Sequence, residues 1–164
     1  MYRIKVFFRS IRNLIRWFPI IWKDRDWDTF FIYEILKFKL KNQADYIGKR
    51  GNHLSAKRDA EIMMTCVRLI EKVQDEYYGT EYLDYRKSEL KFIPSKDYPD
   101  CFEMVDEHIS DNLEDYFKKY PRIHKQVTGK DRHQVAFMVA RTNEERAHKL
   151  LFKMLERNIE RWWD

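Results

Sequence analysis

The stretch IMMTCVRLIEKV, residues 62–73, decides how this chain is read. Its apolar residues Ile62, Met63, Cys66, Val67, Ile70 and Val73 recur at the three- and four-residue spacing that lines one side of an α-helix, whereas a half-buried strand needs strict alternation. Ser55 offers a cap at the start, and the pattern runs on through Tyr77 until Gly79. Met63 and Met64, and later Met138 and Met154, read as fillers of an apolar core. With only 4 Gly and 4 Pro in 164 residues, the chain lacks the turn residues that sandwiches and barrels require, so the neighbours of this helix are expected to be helices too.

Upstream, Phe31, Ile32, Ile35, Leu36, Leu40, Ala44 and Ile47 keep the same period, with Asp26 or Asp28 as cap and Gly48 and Gly51 as the stop. Residues 2–18 form a more extreme case: Ile4, Phe7, Phe8, Ile11, Leu14, Ile15 and Phe18 follow helical spacing while Lys5, Arg9, Arg12 and Arg16 line another face, and Pro19 should end or kink the helix. That apolar stripe is expected to dock on the bundle or on a partner. Downstream, residues 80–93 leave room for one further helix and residues 94–99 read as a loop. Asp100 with Glu103 looks like a capping box opening a helix that buries Phe102, Val105, Ile109, Leu113, Tyr116 and Phe117 before Pro121. The last 33 residues or so are helical in pattern, with a break allowed at Thr142 and Glu145 and a final stripe from Leu150 to Trp162. The expected fold class is all-α: one domain over residues 1–164, a compact bundle or orthogonal array of five to seven helices.

Composition narrows the function classes. Apolar residues at 44% and aromatics at 16% exclude a disordered chain. Cys66 and Cys101 have no partners at metal-ligand spacing, so neither a disulfide scaffold nor a structural zinc is expected, and a reducing compartment is the simplest setting. No apolar run reaches about 18 residues and the N-terminus is interrupted by charges, which argues against a spanning segment or a signal peptide. The net charge of +5 is uneven: residues 1–23 hold six cations and no acid, leaving a balance of −1 for the rest. The basic character belongs to one segment.

Two segments are candidate anion sites. Trp22, Lys23, Arg25 and Trp27 set a guanidinium between two indoles, residue types that dominate binding hot spots. The plainer reading has Asp24, Asp26 and Asp28 capping a helix and pairing with the cations. Those alternating aspartates also resemble the opening of a calcium loop, but Thr29 and Ile35 stand where its glycine and bidentate glutamate belong. The second segment, with Arg122, His124, Lys125, Lys130, Arg132 and His133, precedes a helix start where backbone N–H groups favour anions, and Gly129 would let a phosphate come close. It lacks the remaining residues of a P-loop, so a solvated loop is the competing reading. Glu103, Asp106 and Glu107 on one expected helical turn, and Asp59 with Glu61 on another, match loosely the carboxylate pairs that hold magnesium in helical nucleotide hydrolases. The five histidines show no ligand spacing. No catalytic residue, metal or cofactor is assigned.

The run from Trp17 through Asp28 (WFPIIWKDRDWD), the following Ile35 to Leu40, and the ending Trp162, Trp163, Asp164 resemble a group of small phage-encoded proteins of unknown function. The resemblance covers most of the chain and is weakest over residues 82–141. It implies a setting, the cytoplasm of an infected bacterial host, and no mechanism. In that setting the expected function is a phage accessory, counter-defence protein that sequesters an anionic nucleotide-like ligand without catalysis, cations meeting phosphates and aromatic rings stacking on bases. The alternatives are a protein-binding inhibitor of a host complex and a magnesium-dependent nucleotide hydrolase. Nucleic acid ranks behind these partners and a membrane surface last. A homo-oligomer is expected, because Trp162, Trp163 and the aromatic first helix offer more apolar surface than one small bundle covers.

Overall fold

A computed structural model describes residues 2–51, 54–98 and 100–163. Helices dominate it, but the fold is not all-α: helices α1 (Tyr2–Ile21), α2 (Phe30–Arg50), α3 (Ala56–Gln74) and the short α4 (Tyr77–Thr80) are followed by a hairpin of β1 (Arg86–Pro94) and β2 (Phe102–Asp111), then α5 (Leu113–Lys119), α6 (Pro121–His124) and the long α7 (Arg132–Asn158). Contacts group these elements into two compact units, Met1–Gln74 with Met154–Asp164 and Asp75–Lys153. Pro99, His53 and Asp164, and the side chain of Trp163, lie outside the described residues.

In the first unit α2 and α3 run antiparallel, as Lys37 with Gln74 at one end and Gly48 with Ala60 at the other require. A Cβ on Gly48 would sit 3.4 Å from that of Ala60, so this glycine lies inside α2 and permits a close helix approach instead of stopping it. Gly51 ends the helix in the left-handed region (φ 58°), its N–H donating to the Ile47 carbonyl, as a C-terminal glycine does. Asp28 supplies the cap, its carboxylate accepting from the Phe30 N–H at 2.9 Å. Of the predicted stripe of α3, Met63, Cys66, Val67, Ile70 and Val73 are buried and Ile62 is half-buried; Leu69, outside that stripe, joins them in the core facing Leu40, Ala44 and Ile47 of α2. The helix stops at Gln74, short of Tyr77, because Glu76 turns left-handed (φ 48°).

α1 differs from expectation in two ways. It runs through Pro19 to Ile21, since a proline in the last turn removes only one hydrogen bond near the end. None of its residues is buried; the half-buried ones are Val6, Trp17 and Ile20, with Trp17 edge-on to Phe38 of α2 at 4.8 Å. With 3.6 residues per turn, these three occupy a different edge from Ile4, Phe7, Phe8, Ile11, Leu14, Ile15 and Phe18, all of which are exposed.

In the second unit Leu113, Tyr116, Phe117, Ile123, Ala136 and Val139 form a buried cluster with Tyr82, Tyr85 and Tyr120 packed against it. The expected helix from Asp100 is overturned: Phe102, Val105 and Ile109 sit on β2 and are exposed, and only Leu113, Tyr116 and Phe117 are buried, on α5. Spacing of three and four misled because it runs by coincidence across strand β2, the junction at Asn112 and helix α5. α7 is continuous over Arg132–Asn158. Thr142 does not cap a second helix; its hydroxyl donates back to the Met138 carbonyl at 2.8 Å. Trp162, on the final apolar stripe, is buried and so does not add to the apolar surface expected to drive self-association. No helix among the described residues is long and apolar enough to cross a membrane.

Candidate functional site

Between α1 and α2 the chain turns through Lys23–Asp28, the first predicted site. Trp22 and Trp27 are 72% and 82% exposed, so both indoles are free to meet a partner. The Arg25 guanidinium donates to the neighbouring Asp24 carbonyl at 3.1 Å and has no carboxylate partner among the described residues. A recess of 250 Å³ opens here, lined by Asp24, Arg25, Asp26, Trp27, Asp28, Thr29, Ile32 and Ile35. Three carboxylates against one guanidinium leave this lining net negative, which works against a phosphate and for a partner with an uncharged or cationic contact surface. Lys23 is exposed outside the recess.

The second predicted site is scattered by its own fold. His124 stacks on Phe117, ring centroids 4.2 Å apart and 3° from parallel, so it serves the core cluster. Arg132 pairs with Glu114 at 2.7 Å, while Arg122, Lys125 and Lys130 are exposed. The N-terminus of α7 is already capped: Asp131 accepts from the Gln134 N–H at 2.8 Å, and the Gln134 side chain accepts from the Lys130 N–H. The close approach that Gly129 permits is taken by Val135, whose methyl would lie 3.0 Å from a Cβ there.

The magnesium reading loses its geometry as well. Glu103, Asp106 and Glu107 lie on a strand, where alternation puts Asp106 on the opposite face from the other two. Asp106 pairs with Arg86 at 2.6 Å, Glu107 with Lys91, and Glu103 accepts from the Ser95 hydroxyl at 2.7 Å. Asp59 is buried and accepts from the Ser55 hydroxyl at 2.7 Å.

Two features escaped the sequence. Glu81, buried beside the aromatic cluster, accepts hydrogen bonds from Lys119, Tyr120 and Tyr77. Burial pushes its carboxyl up, yet the donors outweigh burial and hold it below the usual carboxylate range. Burial and the Glu81 charge push the Tyr116 and Tyr120 phenols above theirs. Glu81 itself is engaged on both oxygens by these donors and offers no open position for a ligand. The other feature is a convergence of His133 with His108 and Asp111, residues 22 or more positions apart in sequence across the α5–α6 segment; no local spacing announces it.

What remains open to a large partner is α1. Arg3, Lys5, Arg9, Arg12 and Arg16 form no ion pair among the described residues, and the uncovered stripe of Ile and Phe runs beside them for the length of the helix. No protein-family model matches this chain, and no characterised protein or solved structure is similar to it.

Proposed function

We propose that this chain is a non-catalytic binding protein whose anionic partner is a membrane surface, met by α1. The observation that carries this reading is the exposure of the whole α1 stripe while the helix rests on α2 through another edge. The sequence favours docking of the stripe on the bundle or on a partner and ranks a membrane last; the exposed stripe lends docking on the bundle no support. A helix of 20 residues is about 30 Å long; seven large apolar side chains spread along it suit a plane better than the few anchors of a protein groove. Cations flanking such a stripe, without an acid, are the chemistry of helices that lie in an interface. Each cation near an anionic surface contributes about 1 kcal/mol. On the phage resemblance, the surface would be the inner leaflet of the host.

The test is sedimentation with vesicles of phosphatidylcholine alone or with 30% phosphatidylglycerol. The protein is expected to pellet only with the anionic vesicles, and the triple variant Arg9→Gln, Arg12→Gln, Arg16→Gln to bind about 100-fold more weakly. Failure to bind either vesicle overturns the reading.

Sequestration of a nucleotide-like ligand is the second reading: the two exposed indoles around Arg25 favour it, while the net negative lining of the recess weighs against its phosphates. Arg25→Lys tests it: a point charge cannot reproduce the guanidinium fork, so nucleotide affinity should fall about tenfold or more. Equal affinity of the two proteins across a nucleotide panel removes this segment as a site.

A further inference from the structure

We infer that His108, Asp111 and His133 form a binding site for a divalent transition metal, zinc being the ion their chemistry and spacing fit best. Two imidazoles and one carboxylate are a donor set that zinc takes at about 2.0–2.2 Å, leaving a fourth position for water or an anionic ligand. The three donor atoms lie within 4.8 Å of one another.

A strand would ordinarily defeat this arrangement, because residues three apart point to opposite faces. The register explains the exception. Arg86 pairs with Asp111 and Lys87 with Ser110, but Ser88 pairs with His108, so Ile109 is an extra residue on β2. One inserted residue restores the parity, and His108 and Asp111 come to the same face of the hairpin. Bulges re-aim side chains in this way beside functional sites. Asp111 ends β2, and the first turn of α7 brings His133 to its other side, with the His108 and His133 rings 5.1 Å apart and 72° from parallel. All three residues belong to the same compact unit.

The distances separate a metal site from a pair of hydrogen bonds. The His108 and His133 Nε2 atoms stand 3.2 and 3.6 Å from the same Asp111 oxygen, Oδ2. The second is too long for a hydrogen bond. Both bracket the separation of about 3.3–3.4 Å between two ligands of a tetrahedral ion bound at those lengths. Asp111 supplies the anion that two neutral imidazoles need to hold a dication, and all three side chains are partly exposed, so an ion can enter. The buried His133 Nδ1 has no hydrogen-bond acceptor. Losing such a partner usually costs about 10–100-fold in metal affinity, so this site should hold zinc more weakly than one with a complete outer shell.

The test is calorimetric titration of the full chain with Zn²⁺, alongside the visible absorption of bound Co²⁺, which reports tetrahedral coordination. One ion per chain is expected, with His108→Ala, Asp111→Asn and His133→Ala each weakening it at least tenfold and abolishing the Co²⁺ spectrum. His148→Ala, which removes the separate His148–Glu144 pair at 3.2 Å, should change neither. Circular dichroism of the metal-free variants guards against misfolding, and the zinc-induced rise in Tm should be lost in the three ligand variants alone. Absence of zinc binding by the wild type, or unchanged binding by the well-folded Asp111→Asn protein, overturns the proposal.

Discussion

α1 and α3 are amphipathic helices of 20 and 19 residues, and their fates are opposite: α3 buries eight residues and α1 none. By size of its apolar side chains α1 is the stickier, with four Phe or Trp where α3 has none. What differs is the counterpart. α3 meets α2 along a closely packed antiparallel seam, whereas α1 touches α2 with the edge that bears Trp17. The charges differ in the same sense. α3 alternates Lys57, Arg58, Arg68 and Lys72 with Asp59, Glu61 and Glu71, while α1 carries only cations. A helix built for an internal core balances its own charge; one that leaves both its stripe and its charge unanswered is suited to an external, anionic surface.

The contrast can be broken first by thiol labelling. In a Cys101→Ser background, Cys66 on α3 is buried, and burial pushes its thiol up to about 11. It should react with a maleimide at pH 8 about 10³-fold more slowly, or slower still, than a cysteine placed by Ser10→Cys on exposed α1. Comparable rates would mean that α3 is not the closed core described.

Truncation comes next. Ile70→Ala should destabilise the protein by about 2–4 kcal/mol in urea unfolding, the cost of lost burial plus the cavity left between α2 and α3. A loss below about 1 kcal/mol would place the seam elsewhere.

The second unit sharpens the lesson with a buried charge. Glu81→Gln should cost about 2 kcal/mol at pH 7, because Lys119 and Tyr120 lose a charged acceptor. Since the folded carboxyl sits below its unfolded value, its stabilisation is complete above about pH 5 and is lost as pH falls through the folded value. Unfolding followed from pH 7 to pH 3 should therefore fall less steeply for the variant. Parallel curves would show that Glu81 is not held in its charged form.

The smallest effect belongs to α1 itself. Phe8→Ala should shift solution stability by no more than about 0.5 kcal/mol, as for an exposed position, and yet weaken binding to anionic vesicles about tenfold. A stability loss like that of Ile70→Ala would mean the stripe is covered within the protein.

The seam was legible because both its helices repeat an apolar period over several turns, with Asp28 and Gly51 marking the ends of α2. The hairpin was not. Phe102, Val105, Ile109, Leu113, Tyr116 and Phe117 satisfy a helical spacing across what is in fact a strand, a junction at Asn112 and a helix, and a two-stranded hairpin with both faces exposed has no buried face to impose a clean alternation. Of the candidate residues, Arg25 and Trp27 share one recess, while Trp22 and Lys23 are exposed outside it. Arg122, His124, Lys125, Lys130, Arg132 and His133 part company because Phe117, Glu114 and Asp111 claim three of them.

By itself the sequence determined the helices with strong periods, the concentration of cations in residues 1–23 and the absence of any local metal or catalytic spacing, since each depends only on neighbours within a turn or two. Tertiary structure decided what those helices face. It left the α1 stripe open, buried Trp162, closed Glu81 into a donor network and, through one extra residue at Ile109, turned His108 and Asp111 to the same side for His133 to join. Contacts across dozens of residues follow from register and packing, which no local pattern encodes.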